Sequence, residues 1–116
     1  MKPPVTTVKV STKGKDTLIK IKRNTGLEQW NEICRIALCA SLANHTSPAP
    51  REKLPDSNIE MDWKTFAGHY HDELAALVKY KANIDGIDYD NKEKMNSYFR
   101  LHIERGINAI SRINLS

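Results

Sequence analysis

The chain has 116 residues, with 18 lysines and arginines against 14 acidic residues and a formal net charge of +4 at pH 7. This length predicts a single domain with a modest core, and the lack of any run of about 18 apolar residues excludes a membrane-spanning helix. The first residues, MKPPVT, have no apolar stretch typical of a secretory signal, so we expect a cytoplasmic protein. Residues 1–23 hold seven basic residues and a single acid, Asp16. Such a segment is typical of a protein that binds a polyanion, although a solvated basic terminus has the same composition.

Residues 1–4 include two adjacent prolines, which favour neither helix nor strand, and we expect them to form a disordered tail. From residue 5 to residue 10 the chain alternates, with Val8 and Val10 on one face. This is the period of a β-strand. A single short strand is not stable alone, so it requires a partner strand.

Residues 11–24, STKGKDTLIKIKRN, fit two structures. As a helix with a serine N-cap, the segment places Lys13, Lys20 and Arg23 opposite its apolar face. As strands, residues 17–22 alternate and the residues before them form a hairpin turn. The residue pattern leaves both interpretations open. In the helical case the preceding strand has no partner in its own chain and pairs with the same strand of another protomer, which is the ribbon-helix-helix arrangement.

The segment from Thr25 to Ala43 begins with a Thr-Gly turn signal and continues as an unbroken helical pattern. Between Ile33 and Ala43 only Arg35 and Ser41 are polar, so this helix is apolar in almost every direction and needs cover on most sides. We expect a second copy of the chain to supply part of that cover, through this helix and the last one. The residues predicted for this oligomer interface are Ile33, Ile36, Leu38, Leu42, Gly106 and Ile110.

Residues 45–60 contain three prolines and no periodicity, which predicts a long exposed loop. Asp62 is placed to cap a helical pattern that runs to about Asn83, with Gly68 breaking or starting it. The sequence DGID at residues 85–88 then predicts a turn.

The last helix is predicted to begin after a cap at Asp90 or Asn91, and it carries a clean amphipathic stripe. His102 lies at the centre of that stripe, which favours a buried neutral histidine with a backbone partner over a catalytic base. Arg100 and Glu104 lie on the opposite face, one turn apart, and we expect them to form a surface ion pair.

No catalytic or metal-binding constellation is visible in the sequence. His69 and His71 project about 200° apart on a helix and cannot share an ion there, and no phosphate-cradling glycine loop is present. We therefore expect a non-catalytic protein without a metal or cofactor. Four further residues are interpreted as core residues: Cys34, Cys39, Trp30 and Trp63.

The basic N-terminal segment remains as the candidate functional surface. Lysine and arginine contacts to phosphate oxygens supply affinity without reading sequence, and they make binding strongly salt-dependent. The strand presents only Thr7 and Lys9 outward, which is a poor set for reading bases. The residues predicted to bind DNA are Lys9, Lys13, Lys15, Lys20, Lys22 and Arg23.

Several motifs together resemble one family. A Thr-Gly-Leu turn is followed by the specific run CRIALC at residues 34–39, and FAG at 66–68, DGID at 85–88, FRLH at 99–102 and an Arg-Gly pair follow. This set is similar to the DndE family, the small subunit of bacterial DNA sulfur-modification (phosphorothioation) systems. The likeness runs from about Val8 to Ile110.

The resemblance favours the helical interpretation of residues 11–24. It implies a single mainly α domain over residues 1–116, with a ribbon-helix-helix-like N-terminus of one short strand followed by a helical bundle, four helices in total. It also implies a tetramer that binds the backbone of duplex DNA with a preference for nicked duplex, beside sulfur-transfer and ATPase subunits. Two alternatives stay open, a ribbon-helix-helix transcription regulator or antitoxin and a pure adaptor for the other subunits.

Overall fold

The computed structural model describes residues 1–113 and contains two strands and five helices. Four of these helices are long, and the third is a single short turn joined to the next helix by a 3-10 turn. None of the helices in the described part of the chain has the length and apolar character that crossing a membrane requires. The mainly α class with four long helices is therefore confirmed. In chain order the elements are β1 (Thr7–Ser11), α1 (Thr12–Thr25), α2 (Trp30–Leu42), β2 (Asp56–Asp62), α3 (Trp63–Ala67), α4 (His71–Ile84) and α5 (Lys92–Ser111).

The partner of β1 lies within the same chain. β1 and β2 pair antiparallel, with Thr7 opposite Asp62 and Lys9 opposite Glu60, and the register shifts before Ser11. The predicted pairing with a second protomer is therefore wrong, and the loop predicted over residues 45–60 ends where β2 begins. The strand β2, DSNIEMD, carries only two apolar residues, so its pairing with β1 rather than its own pattern makes it a strand.

The N-terminal residues pack against the domain. Pro4 is buried, and Lys79 Nζ of α4 donates a hydrogen bond to the Lys2 carbonyl at 2.5 Å. The prediction of a disordered tail over residues 1–4 did not include these contacts, because α4 provides a surface that the local sequence does not reveal.

The helix α1 begins and ends with the expected signals. The Ser11 hydroxyl accepts a hydrogen bond from the Gly14 N–H at 2.8 Å, which is an N-cap. At the other end Gly26 has a φ of 75°, a left-handed conformation that glycine adopts without strain. Leu18 and Ile21 are buried on its inner face, so the helical interpretation is confirmed.

The centre of the domain is the crossing of α2 with α5. Gly106 permits it, because a Cβ atom added there would lie 1.8 Å from the Ala37 carbonyl oxygen. Such a close backbone approach is open only to glycine. The crossing covers most of α2 without a second copy of the chain.

The predicted oligomer interface has to be corrected for this reason. Five of its six residues are buried within the single chain, and only Ile36 is substantially exposed, at 41%. The cysteines also differ from the prediction, because Cys34 is buried but Cys39 is exposed. The five interface residues covered by the chain itself are Ile33, Leu38, Leu42, Gly106 and Ile110.

Glu104 of α5 is buried and not on the surface as predicted. Its two carboxylate oxygens accept hydrogen bonds from the Ser11 N–H and the Ser11 hydroxyl, both at 2.9 Å. Arg100 is pulled toward β2, with Nη1 only 2.6 Å from an Asp56 carboxylate oxygen and Nε 3.4 Å from Glu104. The expected surface pair is therefore part of a network that holds the β1–α1 corner onto α5.

His102 is buried as predicted, but its partner is a side chain. Its Nδ1 lies 2.8 Å from the Ser41 hydroxyl. Arg105 Nε donates to that hydroxyl at 2.8 Å, and its Nη2 donates to the Ser41 carbonyl at 2.8 Å. These bonds join α2 to α5 beside their crossing.

Candidate nucleic-acid interface

The outer face of α1 presents three exposed cations, Lys13, Lys20 and Arg23. Lys13 and Lys20 are two turns apart, and Arg23 follows Lys20 by three residues, so all three project to one side of the helix. Among the described residues none of the three has an ion-pair partner within 4.0 Å. Asp16, the one acid of α1, is exposed on the same face, so the face remains positive.

Of the other three predicted DNA-binding residues, Lys15 and Lys22 lie on a different flank of α1 and Lys9 lies on β1, and each has a partner. Lys9 Nζ is 3.9 Å from a Glu60 carboxylate oxygen. Lys15 Nζ donates to Asn58 Oδ1 at 2.6 Å, which links α1 to β2.

Lys22 completes this flank through an aromatic contact. Its Nζ lies 4.5 Å from the centroid of the Trp30 ring, a cation–π distance. Trp30 is only half-buried, so the interpretation of this residue as part of the core is incomplete.

Beside this flank a cleft of about 400 Å³ opens between α1, the start of α2 and β2. We call it the α1–β2 cleft. Residue spacing alone does not predict it, because β2 lies roughly 30 positions after the start of α2 and roughly 45 after Lys15. Its walls include Lys15, Trp30, Asn58, Ile59, Glu60 and Met61.

A second cavity, of about 360 Å³, lies between β1, residues 51–54 and α5. Its lining mixes basic residues with Glu52, Glu60 and Glu104. Arg100, which also lines it, already donates to Asp56 and to the Leu54 carbonyl. The mixed charge and the occupied guanidinium give this cavity no preference for an anion.

The groups that resemble catalytic ones are out of reach of a substrate. Ser41 is 1% exposed and its partner His102 is fully buried. Burial lowers the pKa of His102 to about 4, with a smaller contribution from the charge of Arg105. Burial likewise raises the pKa of the Cys34 thiol to about 12, with a contribution from Glu104. Within residues 1–113 no three His, Cys, Asp or Glu side chains are grouped so that they could hold a metal ion.

Two solved structures share this fold. DndE from Escherichia coli B7A, described as involved in DNA phosphorothioation modification, superposes with a TM-score of 0.71 at 24% identity, covering 95% of this chain and 99% of that one. A glycine-to-lysine mutant of DndE superposes with a TM-score of 0.70 at 18% identity, covering 93% of this chain and 98% of that one. No curated protein matches the sequence.

The family comparison covers almost the whole chain. The family model described as DNA sulphur modification protein DndE matches residues 7–115. The resemblance carried by the CRIALC run and the other motifs is thereby confirmed. The chain belongs to the DndE family, which is involved in DNA phosphorothioation.

Proposed function

We propose that this chain is a non-catalytic DNA-binding subunit of a DNA phosphorothioation system, which binds the backbone of duplex DNA through the outer face of α1. The observation that carries the proposal is a set of three exposed cations that have no ion-pair partner within residues 1–113: Lys13, Lys20 and Arg23. Lysine and arginine on a helix face contact phosphates, and such contacts position a protein on DNA without reading its sequence.

The preference for nicked duplex belongs to the same proposal. A nick makes the duplex easier to bend, and a protein that binds backbone can detect this as a lower cost of deformation. We expect the sulfur-transfer and ATPase subunits of the system as its protein partners, and the cytoplasm as its location.

Self-association, as a tetramer, is also part of the proposal, and it would present several copies of the α1 face together. Since most of α2 is covered by α5, we expect exposed apolar side chains to form the contact. Ile36 on α2 is one of them, and Leu77, Tyr80 and Ile84 form an exposed row on α4. Sedimentation of Ile36→Asp and Leu77→Asp would identify which of the two surfaces forms the contact between subunits. A wild-type protein that stays monomeric at all concentrations would contradict the proposed self-association.

The DNA-binding proposal is tested by reversing three charges on the outer face of α1 and, as a control, three charges elsewhere on the surface. The triple variant Lys13→Glu, Lys20→Glu, Arg23→Glu should lose duplex binding in a gel shift while its oligomer size stays unchanged. The matched control, Lys92→Glu, Lys94→Glu, Arg112→Glu, changes the same charge at exposed positions of α5 and just after it. It should bind nearly as well as the wild type. Equal binding by both variants would reject the α1 face as the DNA-binding surface, and a wild-type protein that binds no duplex would favour a pure adaptor.

The nick preference requires its own measurement. Affinity should be compared for one sequence as intact and as singly nicked duplex, across a series of salt concentrations. A higher affinity for the nicked form at every salt concentration is expected. Equal affinities would remove the nick preference and leave backbone binding in place.

A further inference from the structure

We propose that the α1–β2 cleft receives an unpaired nucleobase of the bound DNA, with the Trp30 indole as its stacking surface. This inference rests on the proposed DNA-binding function and names the part of the DNA that a second, flanking surface of α1 would recognise.

The two tryptophans of the chain have different surroundings. Trp63 is 5% exposed, its Nε1 donates to the His71 carbonyl, and it packs against Phe66 and Phe99 with ring centroids 5.4 and 5.8 Å away. Trp30 instead is half-buried at the first residue of α2 and lines the cleft. An indole open to a cleft beside the lysines of a DNA-facing helix is the combination that single-stranded nucleic acid uses for stacking.

The contact of Lys22 with Trp30 leaves the cleft accessible. Lys22 Nζ lies over the indole at 4.5 Å from the ring centroid, but Lys22 is not part of the cleft lining. Lys15 lies seven residues before it on α1 and does line the cleft. Lys22 therefore lies over one face of the indole, and a base would stack on the other face. Lys15, in the cleft lining, and Lys22 can neutralise the phosphates next to an inserted nucleotide.

The cleft walls suit a base better than a phosphate. Ile59 and Met61 add apolar residues to the lining, and Glu60 adds an acidic one, whose carboxylate lies 3.9 Å from Lys9 Nζ. A carboxylate repels phosphate but accepts hydrogen bonds from the exocyclic amino group of a base. Asn58 Oδ1 is held by Lys15, which leaves the amide N–H groups of Asn58 for acceptor atoms of a base. The volume of about 400 Å³ lies within the range of roughly 300 to 1,000 Å³ that is usual for small-molecule sites.

The source of the base follows from the energy of unstacking. A base in intact duplex must be unpaired and unstacked before it can enter a protein cleft, and this cost is least where the base is already unpaired. A gap, flap or frayed end beside a nick supplies such a base. The cleft would therefore let a protein that reads no sequence distinguish interrupted DNA from continuous duplex.

The experiment uses two DNA molecules that differ in one base. Both are duplexes with a one-nucleotide flap at a nick, and in the second the flap nucleotide is abasic. The wild-type protein should bind the DNA with the intact base roughly 5-fold to 100-fold more tightly, as expected for one stacked base. Trp30→Leu should reduce this ratio to nearly one while affinity for intact duplex is unchanged, and Trp30→Phe should keep part of the ratio.

A spectroscopic readout separates stacking from a structural effect of the substitution. In a Trp63→Phe variant Trp30 is the single tryptophan, and its fluorescence should be quenched by the flap DNA with a base but not by the abasic flap. Wild-type protein that binds both flap DNAs equally and shows no difference in quenching would overturn the inference and leave duplex binding by α1 intact. Wild-type protein that binds no DNA at all would overturn the proposed function and this inference with it.

Discussion

The crossing of α2 with α5 and the outer face of α1 lie in one small domain but use their residues in opposite ways. At the crossing Gly106 lies directly against the Ala37 carbonyl, so the space between the two helices does not admit even one added methyl group. On the outer face, Lys13 and Lys20 are exposed to solvent. The difference predicts that substitutions at the crossing change stability, whereas substitutions on the outer face change affinity for DNA.

One buried carboxylate connects the two regions. Glu104 lies on α5 two residues before Gly106 and accepts both hydrogen bonds from Ser11, which is also the N-cap of α1. The position of α1 is therefore set by α5, the same helix that forms the core. Stability and presentation of the basic face are linked through this residue.

The largest effect is expected at the crossing itself. Gly106→Ala should lower the free energy of unfolding by about 3 kcal/mol, because the new methyl group overlaps the Ala37 carbonyl and α2 must move away. The control is Gly26→Ala, where nothing lies within 4 Å of the added atom and only the left-handed backbone is strained, at about 1 kcal/mol. Urea unfolding of both variants measures the difference, and equal losses would show that the crossing is looser than described.

A smaller loss is expected where the two regions meet. Glu104→Ala should lower the free energy of unfolding by about 2 kcal/mol, because it leaves the buried N–H and hydroxyl of Ser11 without acceptors. Glu52→Ala, at an exposed position of the loop before β2, is the control and should change stability by less than about 0.5 kcal/mol. The affinity of folded Glu104→Ala for duplex DNA should also fall. An unchanged affinity would show that DNA binding does not depend on the contact between Glu104 and the β1–α1 corner.

The third effect depends on pH. The pKa of His102 is lowered to about 4 by burial and by Arg105. In an unfolded chain the pKa of histidine is about 6.5. Between these values the unfolded state binds a proton that the native state does not. The free energy of unfolding should therefore fall as the pH drops through this window, by about 1 kcal/mol for each pH unit.

His102→Gln tests this assignment, because glutamine has no proton to gain in the window. Its unfolding free energy should depend less on pH between about 6.5 and 4 than that of the wild type. His45→Gln, at an exposed position, is the control and should keep the wild-type dependence. The assignment fails when both variants retain the full slope.

The same contrast explains what could be predicted from the sequence. The cap at Ser11 and the two faces of α1 depend on neighbouring residues, and local patterns predicted them correctly. For the last helix the pattern left Asp90 and Asn91 as possible caps, and Asn91 is the cap. The strand β2 could not be predicted, because it is held by pairing with β1 and by a hydrogen bond from the Ser57 hydroxyl to the Val10 carbonyl. These contacts join positions about 45 to 55 residues apart.

The sequence predicted that a second copy of the chain covers part of α2, but α5 of the same chain covers most of it. A helix that is apolar on most sides shows that it is covered, but its sequence does not distinguish another segment of the same chain from a second copy. Gly106 carried the missing signal, because a glycine in the middle of an amphipathic stripe costs about 1 kcal/mol relative to alanine and indicates close backbone approach. Its partner, Ala37, could be identified only from the structure.

The candidate site was likewise predicted in part. The helical period correctly grouped Lys13, Lys20 and Arg23, but the partners of Lys15 and Lys22 lie on β2 and α2. The sequence therefore predicted a basic helix and not the cleft beside it.

The most direct test of the basic face is the salt dependence of duplex affinity. The logarithm of the binding constant should fall steeply and linearly with the logarithm of salt concentration, since phosphate contacts release counterions. Replacing Lys13, Lys20 and Arg23 by glutamine should reduce that slope by roughly 2 to 3 for each subunit that contacts the DNA. A variant with the wild-type slope would contradict the assignment of phosphate contacts to the outer face of α1.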